Sequence, residues 1–255
     1  MAAKVSMKPI RPFFDSLYDA ALALLYPQAC AVCGASVEAR DDGVACALCW
    51  RETRIFTEQD ALCWKCGAHS LGTMPTEKLM EVRCRRCEQE PYGAARACGI
   101  YERALRASVL ALKREPHAAP RLARLLYEAQ QREPLRSATR IIPVPLHPER
   151  ERERGFNQAS ILGRSLARLT GLPCDEWSLV RTLYTERHRA GMDARARRES
   201  VDKAFRVERA RLVENERILL LDDVFTTGAT VSAAACALKA AGAQAVFVLT
   251  LARPL

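Results

Sequence analysis

Apolar residues in the C-terminal half of the chain follow two spacings in turn, that of buried strands and that of amphipathic helices. Ile218–Leu221 is a run of four branched aliphatic residues, which is typical of a strand buried on both faces of a parallel sheet. A helical pattern follows at Val231–Ala241, and a further apolar strand is predicted at Ala245–Leu251. This alternation predicts an α/β fold in which helices flank a parallel sheet.

The same alternation extends upstream to about residue 97. The elements predicted there are a short strand at Ala97–Tyr101 and helices at Leu105–Lys113, Leu122–Gln131 and Gly155–Leu169. Between these helices, the β-branched run Arg140–Val144 leads into Pro143-Val144-Pro145. Two prolines remove backbone donors, so the sequence excludes a central strand there and predicts a shaped loop.

Residues 1–27 are predicted to form an amphipathic helix. Apolar residues recur at helical spacing between Phe13 and Leu25, and Pro27 ends the pattern. Asp15 and Asp19 interrupt the apolar segment, which distinguishes it from an export signal. No stretch of the chain approaches the ~18–20 uninterrupted apolar residues of a membrane span, so we expect a cytoplasmic protein without one.

Residues 28–91 contain four C-x-x-C pairs and little apolar periodicity. The pairs are Cys30/Cys33, Cys46/Cys49, Cys63/Cys66 and Cys84/Cys87. Each pair can direct two thiolates at one ion, so the four pairs predict two structural zinc ions in a small double zinc-ribbon domain, with four cysteines at each site. Such a short segment buries little apolar surface, and metal binding would supply its folding energy.

The spacing leaves the combination of these pairs open. Sequence order gives spacers of 12 and 17 residues within the two sites, and an interleaved combination is also allowed. Disulfides or a redox-active pair are the alternatives, but no thioredoxin-like βαβ pattern surrounds the cysteines. Metal-ligand spacing therefore favours a reducing cytoplasm.

A second domain is predicted from residue 92 to residue 255. Pro91-Tyr92-Gly93 marks the boundary, and the apolar periodicity changes after it. Apolar residues make up 49% of the chain and charged residues 27%, which is sufficient for a buried core. The net charge of +9 indicates anionic partners such as phosphorylated metabolites or nucleic acid.

Residues suited to binding a sugar phosphate follow directly after Ile218–Leu221. Asp222 and Asp223 come where the strand leaves the core, and the small hydroxylated stretch Thr226–Thr230 leads into the next helix. Backbone N–H groups at a helix N-terminus hold phosphate, and adjacent carboxylates accept from ribose hydroxyls or hold Mg²⁺. An ordinary connection with an N-capping threonine would not require two adjacent acids. The pattern predicts a sugar-phosphate site at the carboxyl end of the strand.

A second loop is expected beside this one, after Ile141–Ile142. The sequence Arg154-Gly155-Phe156-Asn157-Gln158 would add a cationic fork and amide donors near it. The preceding charges alternate as E-R-E-R-E-R from Glu149 to Arg154, which is typical of a solvated helix face. Together the two loops could hold both ends of a doubly phosphorylated ligand.

The residues from Ile218 to Thr230, ILLLDDVFTTGAT, resemble the phosphoribosyl pyrophosphate (PRPP) signature of type I phosphoribosyltransferases. With Pro143–Leu146 (PVPL), RGFNQ and the four cysteine pairs, the chain resembles the ComF family over nearly its whole length. The resemblance implies a type I phosphoribosyltransferase-like parallel sheet flanked by helices and preceded by a small zinc-ribbon domain with four-cysteine sites. It also implies Mg²⁺-dependent binding of PRPP or a related ribose phosphate, and a link to DNA uptake and natural transformation.

The resemblance implies roles for residues of both loops. Asp222 and Asp223 would be the catalytic pair that binds the ribose 2′- and 3′-hydroxyls, Thr226–Thr230 would cradle the 5′-phosphate, and Arg181–Phe205 would form a variable hood. The residues implied to contact PRPP are Lys113, Pro143, Val144, Pro145, Arg154, Asn157, Gln158, Val224, Thr226, Thr227, Gly228, Ala229 and Thr230.

Three functions fit these expectations, and in the last of them the ribbons serve as a dimerisation or docking element beside a domain that keeps its PRPP loop. The first is an enzyme that transfers the phosphoribosyl group of PRPP to an unknown acceptor and stabilises the departing pyrophosphate. The second is a non-catalytic module that senses PRPP or a nucleotide, while its zinc ribbons contact single-stranded DNA or a protein of the competence machinery. In that second function, Trp50, Phe56 and Trp64 are candidates for stacking on bases.

Overall fold

The computed structural model of the chain describes residues 28–69, 82, 84–182 and 204–255. The helices in these ranges are α1 (Ala47–Arg51), α2 (Arg103–Leu112), α3 (Pro120–Gln130), α4 (Pro148–Arg154), α5 (Gln158–Thr170) and α6 (Ala229–Ala240). The strands are β1 (Ala94–Ile100), β2 (Arg140–Pro143), β3 (Leu179–Arg181), β4 (Phe205–Val207), β5 (Arg217–Val224) and β6 (Ala245–Arg253). Short 3₁₀ helices lie at Arg40–Asp42, Arg85–Cys87, Leu135–Ser137 and Ala210–Leu212.

Within the described ranges, four strands form one parallel sheet in the order β1-β6-β5-β2. The apolar run Ile218–Leu221 lies in the centre of this sheet and is fully buried. Strands that alternate with helices along the chain and lie parallel in one sheet confirm the predicted α/β fold class.

Helices cover both faces of the sheet because side chains alternate along β5. Leu219 and Leu221 pack with apolar residues of α2, α3 and α5, whereas Ile218 and Leu220 pack with those of α6. Complete burial of one such side chain contributes about 1.5–3 kcal/mol, so these two apolar layers fix the position of both strand and helices.

The cysteine-rich segment packs against the edge of the sheet that β1 forms. Phe56 N donates to Cys98 O (2.8 Å), and Ile100 N donates to Arg54 O (2.9 Å). Gly99 permits this approach, because a Cβ atom at that position would lie 2.4 Å from Arg54 O. The segment thereby pairs backbone groups that an open sheet edge would expose.

The predicted start of one helix is wrong. The helix expected from Gly155 to Leu169 begins at Gln158, and the separate helix α4 precedes it. Gly155 has a φ of +82° and ends α4 in the left-handed conformation, while the Asn157 side chain accepts from Ala159 N (3.0 Å) at the start of α5. The glycine is therefore a helix stop, and the asparagine is the N-cap of the next helix.

The proline-rich run leaves the sheet as predicted, directly after Pro143. Pro143 is the last residue of β2, a strand at the edge of the sheet. Val144 N donates to Leu221 O of β5 (2.8 Å). Because successive backbone N–H groups point to alternate sides of a strand, an N–H at Pro143 would point away from β5, so its absence removes no hydrogen bond to β5. An edge position is where a sheet tolerates proline, and the loop begins at Val144.

Some predictions lie outside the described residues. They are the helix in residues 1–27 and most of the hood, residues 183–203; the base of the hood is the antiparallel pair β3–β4. None of the helices in the described ranges combines the length and the apolar character that crossing a membrane requires.

Candidate functional site

Strand β5 continues through the acidic pair and ends at Val224, three residues later than predicted. Asp222 pairs with Thr250 of β6 inside the sheet. Since side chains alternate along a strand, Asp222 points to the face of the sheet that carries α6, and Asp223 points to the face that carries α2 and α5. Asp223 is buried and Asp222 is half-buried, yet both carboxylates line one cleft at the carboxyl end of the sheet.

A line of polar side chains crosses this cleft from Asp223. Lys113 Nζ, just after α2, lies 3.3 Å from Asp223 Oδ2. Gln158 Nε2 donates to the same oxygen at 3.5 Å, and the Arg154 guanidinium donates to Gln158 Oε1. The fold thus brings together four predicted residues from three distant parts of the sequence, and a cation and an amide compensate the buried Asp223 carboxylate.

Asn157 lies behind the cleft and holds its proline loop. The side chain is buried, its Nδ2 donates to Val144 O (3.0 Å), and its Oδ1 caps α5. Val144 and Pro145 line the cleft, whereas Pro143 belongs to β2. Asn157 therefore orients the loop relative to Gln158.

The connection from β5 to α6 turns sharply at Gly228. This residue has a φ of +83°, and a Cβ atom there would lie 2.9 Å from Cζ of Phe225. Glycine is required both for the backbone conformation and for the space above the ring. Thr230 in the first turn of α6 lines the cleft. The other predicted phosphate-binding residues of this connection surround the turn: Thr226, Thr227 and Ala229.

The cleft has a volume of about 160 Å³ and a predominantly basic lining. Its charged side chains are Lys113, Arg150, Arg154, Arg181, Asp222 and Asp223. Four cations thus face two carboxylates around a space next to the N-terminus of α6. This arrangement suits a ligand that carries several negative charges and also presents hydroxyl groups to the acids.

Arg150 and Arg181 also line the cleft, although neither was predicted as a PRPP contact and Arg181 was predicted only as the first residue of the hood. Arg150 and Arg154 lie four residues apart and therefore share one face of α4, a spacing that the alternating charges E-R-E-R-E-R already contained. Arg181 lies in β3, and no sequence motif marks its position.

Asp222 ionises less readily than an ordinary aspartate, partly because Asp223 is adjacent to it. Burial at the strand end and the negative charge of Asp223 raise the pKa of Asp222 well above its ordinary value of 3.8, and Lys113 only partly opposes this. Asp223 N donates to Asp222 Oδ1 at 2.8 Å, which holds the two groups in a fixed relative position. A cation or a hydroxyl group bound in the cleft next to these two carboxylates would stabilise their negative charge.

Replacement of Asp222 with Asn is expected to raise the free energy of unfolding of the ligand-free protein at neutral pH. A raised pKa means that the folded state holds this proton more tightly than the unfolded state does. Stability from this group is therefore present in acid and is lost as pH rises from 3.8 through the raised folded pKa. Denaturant unfolding between pH 4 and pH 8 measures the effect, with Glu151→Gln on the exposed face of α4 as the control. If the free energies of unfolding of the wild type and of Asp222→Asn changed with pH in the same way, this prediction would be wrong.

The four cysteine pairs form two separate clusters in sequence order. Within each cluster, all four sulfur atoms lie within 4.8 Å of one another: Cys30, Cys33, Cys46 and Cys49 in the first, and Cys63, Cys66, Cys84 and Cys87 in the second. The interleaved combination is therefore excluded. His69 belongs to neither cluster and instead contacts Arg54 (2.9 Å).

The sulfur positions fit tetrahedral zinc. Zn–S bonds of about 2.3 Å place the sulfur atoms of a tetrahedron about 3.8 Å apart. The Sγ–Sγ distances are 3.8 Å for Cys30–Cys49, 3.7 Å for Cys33–Cys46, 3.6 Å for Cys63–Cys87 and 3.4 Å for Cys66–Cys84. A disulfide requires about 2.05 Å, so these are metal-site distances and the donor sets match structural zinc.

Backbone N–H groups favour the thiolate form of one cysteine in each cluster. Burial raises the pKa of the Cys30 thiol, but N–H donors of Cys46, Cys33 and Val32 outweigh it and lower the pKa to about 6. Backbone donors overcome burial in the same way at Cys63, whose pKa also falls to about 6. Hydrogen bonds of this kind orient thiolate ligands and stabilise their charge.

The aromatic residues of the ribbons are less accessible than base stacking requires. Trp50 is 2% exposed and lies under the Arg121 guanidinium, and Phe56 is 1% exposed. Trp64 is half-buried beneath Arg96. The expectation that Trp50 and Phe56 are available for stacking is wrong, because Trp50 is buried beneath Arg121 of α3 and Phe56 is buried against Ala97 and Ile100 of β1.

Comparisons with known proteins match both parts of the chain. A family model described as a double zinc ribbon domain matches residues 21–99. The DNA utilization protein YhgH of Salmonella typhimurium is 33% identical over 242 residues, which cover 91% of this chain and 100% of that protein. Competence protein F of Haemophilus influenzae is 36% identical over 140 residues, covering 52% of this chain and 59% of the relative.

Among solved structures, the glutamine PRPP amidotransferase of Bacillus subtilis is similar with a TM-score of 0.36 and 20% identity. The similarity covers 57% of this chain and 26% of that enzyme. The match to YhgH over the whole length of that protein, the match to competence protein F and the double zinc ribbon together show that the chain belongs to the ComF family.

Proposed function

We propose that the cleft at the carboxyl end of the sheet binds PRPP together with Mg²⁺ and that the protein transfers the phosphoribosyl group to an acceptor. The observation that supports this most is the composition of the cleft. It combines two adjacent carboxylates, the first turn of α6 and four basic side chains in a space of about 160 Å³. Ribose hydroxyls, a terminal phosphate and a pyrophosphate require these three kinds of partner.

In this proposal each part of the cleft holds a different part of the ligand. Asp222 and Asp223 accept hydrogen bonds from the ribose hydroxyls, and the backbone from Thr226 to Thr230 binds the 5′-phosphate. Val144 and Pro145 border the pyrophosphate, and the cleft cations Lys113, Arg150, Arg154 and Arg181 neutralise it. Gln158 and Asn157 position Asp223 and the proline loop.

The proposed reaction exchanges one bond at ribose C1. The acceptor forms a bond to C1 and loses a proton, while the bond between C1 and the pyrophosphate oxygen breaks. Charge develops on the departing pyrophosphate, and the cleft cations stabilise it there without a covalent protein intermediate. Bound Mg²⁺ would neutralise part of the pyrophosphate charge, and the acidic pair supplies the oxygen ligands that this ion prefers.

The names of the relatives support a role connected with DNA. YhgH is named for DNA utilization, and the Haemophilus influenzae protein is named for competence. We place the present protein in the same process, with single-stranded DNA or a protein of that machinery as partner. Arginines on the ribbons would then contact phosphates rather than stack bases, so single-stranded DNA binding would weaken as salt concentration rises.

Pyrophosphate release separates transfer from binding alone. Zinc-loaded protein is incubated with PRPP, Mg²⁺ and a panel of acceptors, namely nucleobases, ammonia donors and single-stranded DNA. The proposal expects one pyrophosphate per phosphoribosylated acceptor with at least one class of acceptor. Tight binding of PRPP without release in any mixture would identify a sensor module instead of an enzyme.

A further inference from the structure

The second zinc ribbon contacts the connection between β5 and α6 through one arginine. Arg253 ends β6, and its Nη1 donates to the backbone carbonyl of Cys66 (2.7 Å). Its guanidinium carbon also lies 5.2 Å from the centroid of the Phe225 ring. One side chain therefore touches both a zinc-ligand backbone and the first residue of the connection.

Phe225 in turn supports the turn that opens α6. The ring is 6% exposed and lies directly against Gly228, where a Cβ atom would approach it to 2.9 Å. Tyr92 packs edge-on against the same ring at a centroid distance of 6.3 Å. Arg253 and Tyr92 thus both contact the Phe225 ring, and the Gly228 turn packs against Cζ of the same ring.

A second contact joins the same ribbon to α6. The Ser232 hydroxyl in the first turn of α6 donates to the carboxylate of Glu90, which follows the last cysteine of the second cluster. Apolar packing continues this connection, because Cys63, Cys66 and Cys87 share one buried cluster with Phe225 and Val231.

The first ribbon packs elsewhere. Its cysteines Cys30, Cys46 and Cys49 belong to the apolar cluster on the opposite face of the sheet, with residues of α2 and α3. Its charged contacts reach α3 through Arg121–Asp42 (2.6 Å) and Arg124–Asp41 (2.8 Å). The two zinc sites therefore have different neighbours, and the contacts described above join only the second to the β5–α6 connection.

We propose that Arg253 is a positioning residue through which the second zinc ribbon, and not the first, holds Phe225 and the Thr226–Thr230 loop in the conformation that binds phosphate. The inference deepens the proposed function and rests on it for the nature of the ligand. Its structural part, the dependence of the loop on Arg253, does not require PRPP. Arg253 does not line the cleft, so its effect reaches the ligand through Phe225 and the loop.

The test is amide hydrogen exchange of residues 225–232 in zinc-loaded, full-length protein without ligand. Arg253→Met keeps the aliphatic stem but removes both the hydrogen bond and the cation–ring contact. We expect exchange in this segment to accelerate about tenfold, the scale of one lost charge-assisted hydrogen bond, with two zinc ions retained. Arg253→Lys should restore most of the protection. Arg124→Met is the matched control, since it removes an exposed arginine that joins the first ribbon to α3.

The same variants are then titrated with PRPP and Mg²⁺. Affinity is expected to fall about tenfold in Arg253→Met and to recover in Arg253→Lys. Unchanged exchange in residues 225–232 of Arg253→Met would overturn the inference, whatever its affinity for PRPP. Accelerated exchange in a protein whose wild type does not bind PRPP would support the coupling and reject the proposed ligand. If Arg253→Met does not fold, Phe225→Leu takes its place, and unchanged loop exchange in that variant would equally overturn the inference.

Discussion

The double variant Asp222→Asn/Asp223→Asn is expected to bind PRPP in the presence of Mg²⁺ at least about 100-fold more weakly than the wild type. Asparagine keeps the size of both side chains but removes the two carboxylates, which would accept hydrogen bonds from the ribose hydroxyls and attract Mg²⁺. It also leaves Lys113, which lies 3.3 Å from Asp223, without its ionic partner. Isothermal titration calorimetry with zinc-loaded protein measures the change.

Glu151→Gln/Glu153→Gln is the matched control for this experiment. Both glutamates of α4 are exposed and neither lines the cleft, so the change in net charge is the same but lies outside the site. The control should bind PRPP as the wild type does, within a factor of about two. Equal affinity of the double aspartate variant and the wild type would show that the acidic pair does not bind the ligand.

Replacement of Cys49 with Ser is expected to remove one zinc ion per chain and to lower the thermal unfolding midpoint by more than about 10 °C. Cys49 is 2% exposed and its sulfur lies 3.8 Å from that of Cys30, so the first site cannot retain four thiolates. Trp50, the next residue, is buried beneath the Arg121 guanidinium of α3, so loss of the metal would also loosen the packing of the first ribbon against that helix. Native mass spectrometry gives the zinc content, and a thermal melt gives the stability.

Cys236→Ser serves as the control because Cys236 is an exposed cysteine of α6 outside both clusters. This variant should keep two zinc ions and the wild-type melting curve. A Cys49→Ser protein that retained two zinc ions and its melting temperature would contradict the assignment of four cysteine ligands to the first site.

The positions of the acids and of the strand that carries them could be predicted from the sequence, since an uninterrupted aliphatic run in an α/β pattern indicates a buried parallel strand. The sequence did not indicate that β5 continues to Val224 and turns Asp222 and Asp223 to opposite faces. The ladder with β6 decides this, because Thr250 and Ala252 provide partners for two more positions of the strand.

The sequence alone could not show which cysteine pairs share a zinc site or which residues complete the lining of the cleft, because both depend on tertiary structure. Spacers of 12 and 17 residues suit zinc ribbons in either combination, and only the fold shows which sulfur atoms meet. Arg154 and Gln158 were predicted from their motif, whereas Arg181 was predicted only as the start of the hood, and no motif indicated that it lines the cleft from β3. Gly155 was predicted as a helix start although glycine at such a place more often ends a helix, as it does here.

The proposed function depends on the identity of the ligand in the cleft between β5, α6 and the proline loop. Its most direct test is a titration of zinc-loaded wild-type protein with PRPP, with and without Mg²⁺ in buffer free of other divalent cations. We predict saturable binding of one PRPP per chain that depends on Mg²⁺ and is competed by pyrophosphate. If a protein that carries two zinc ions shows no saturable PRPP binding in the presence of Mg²⁺, the cleft is not a PRPP site.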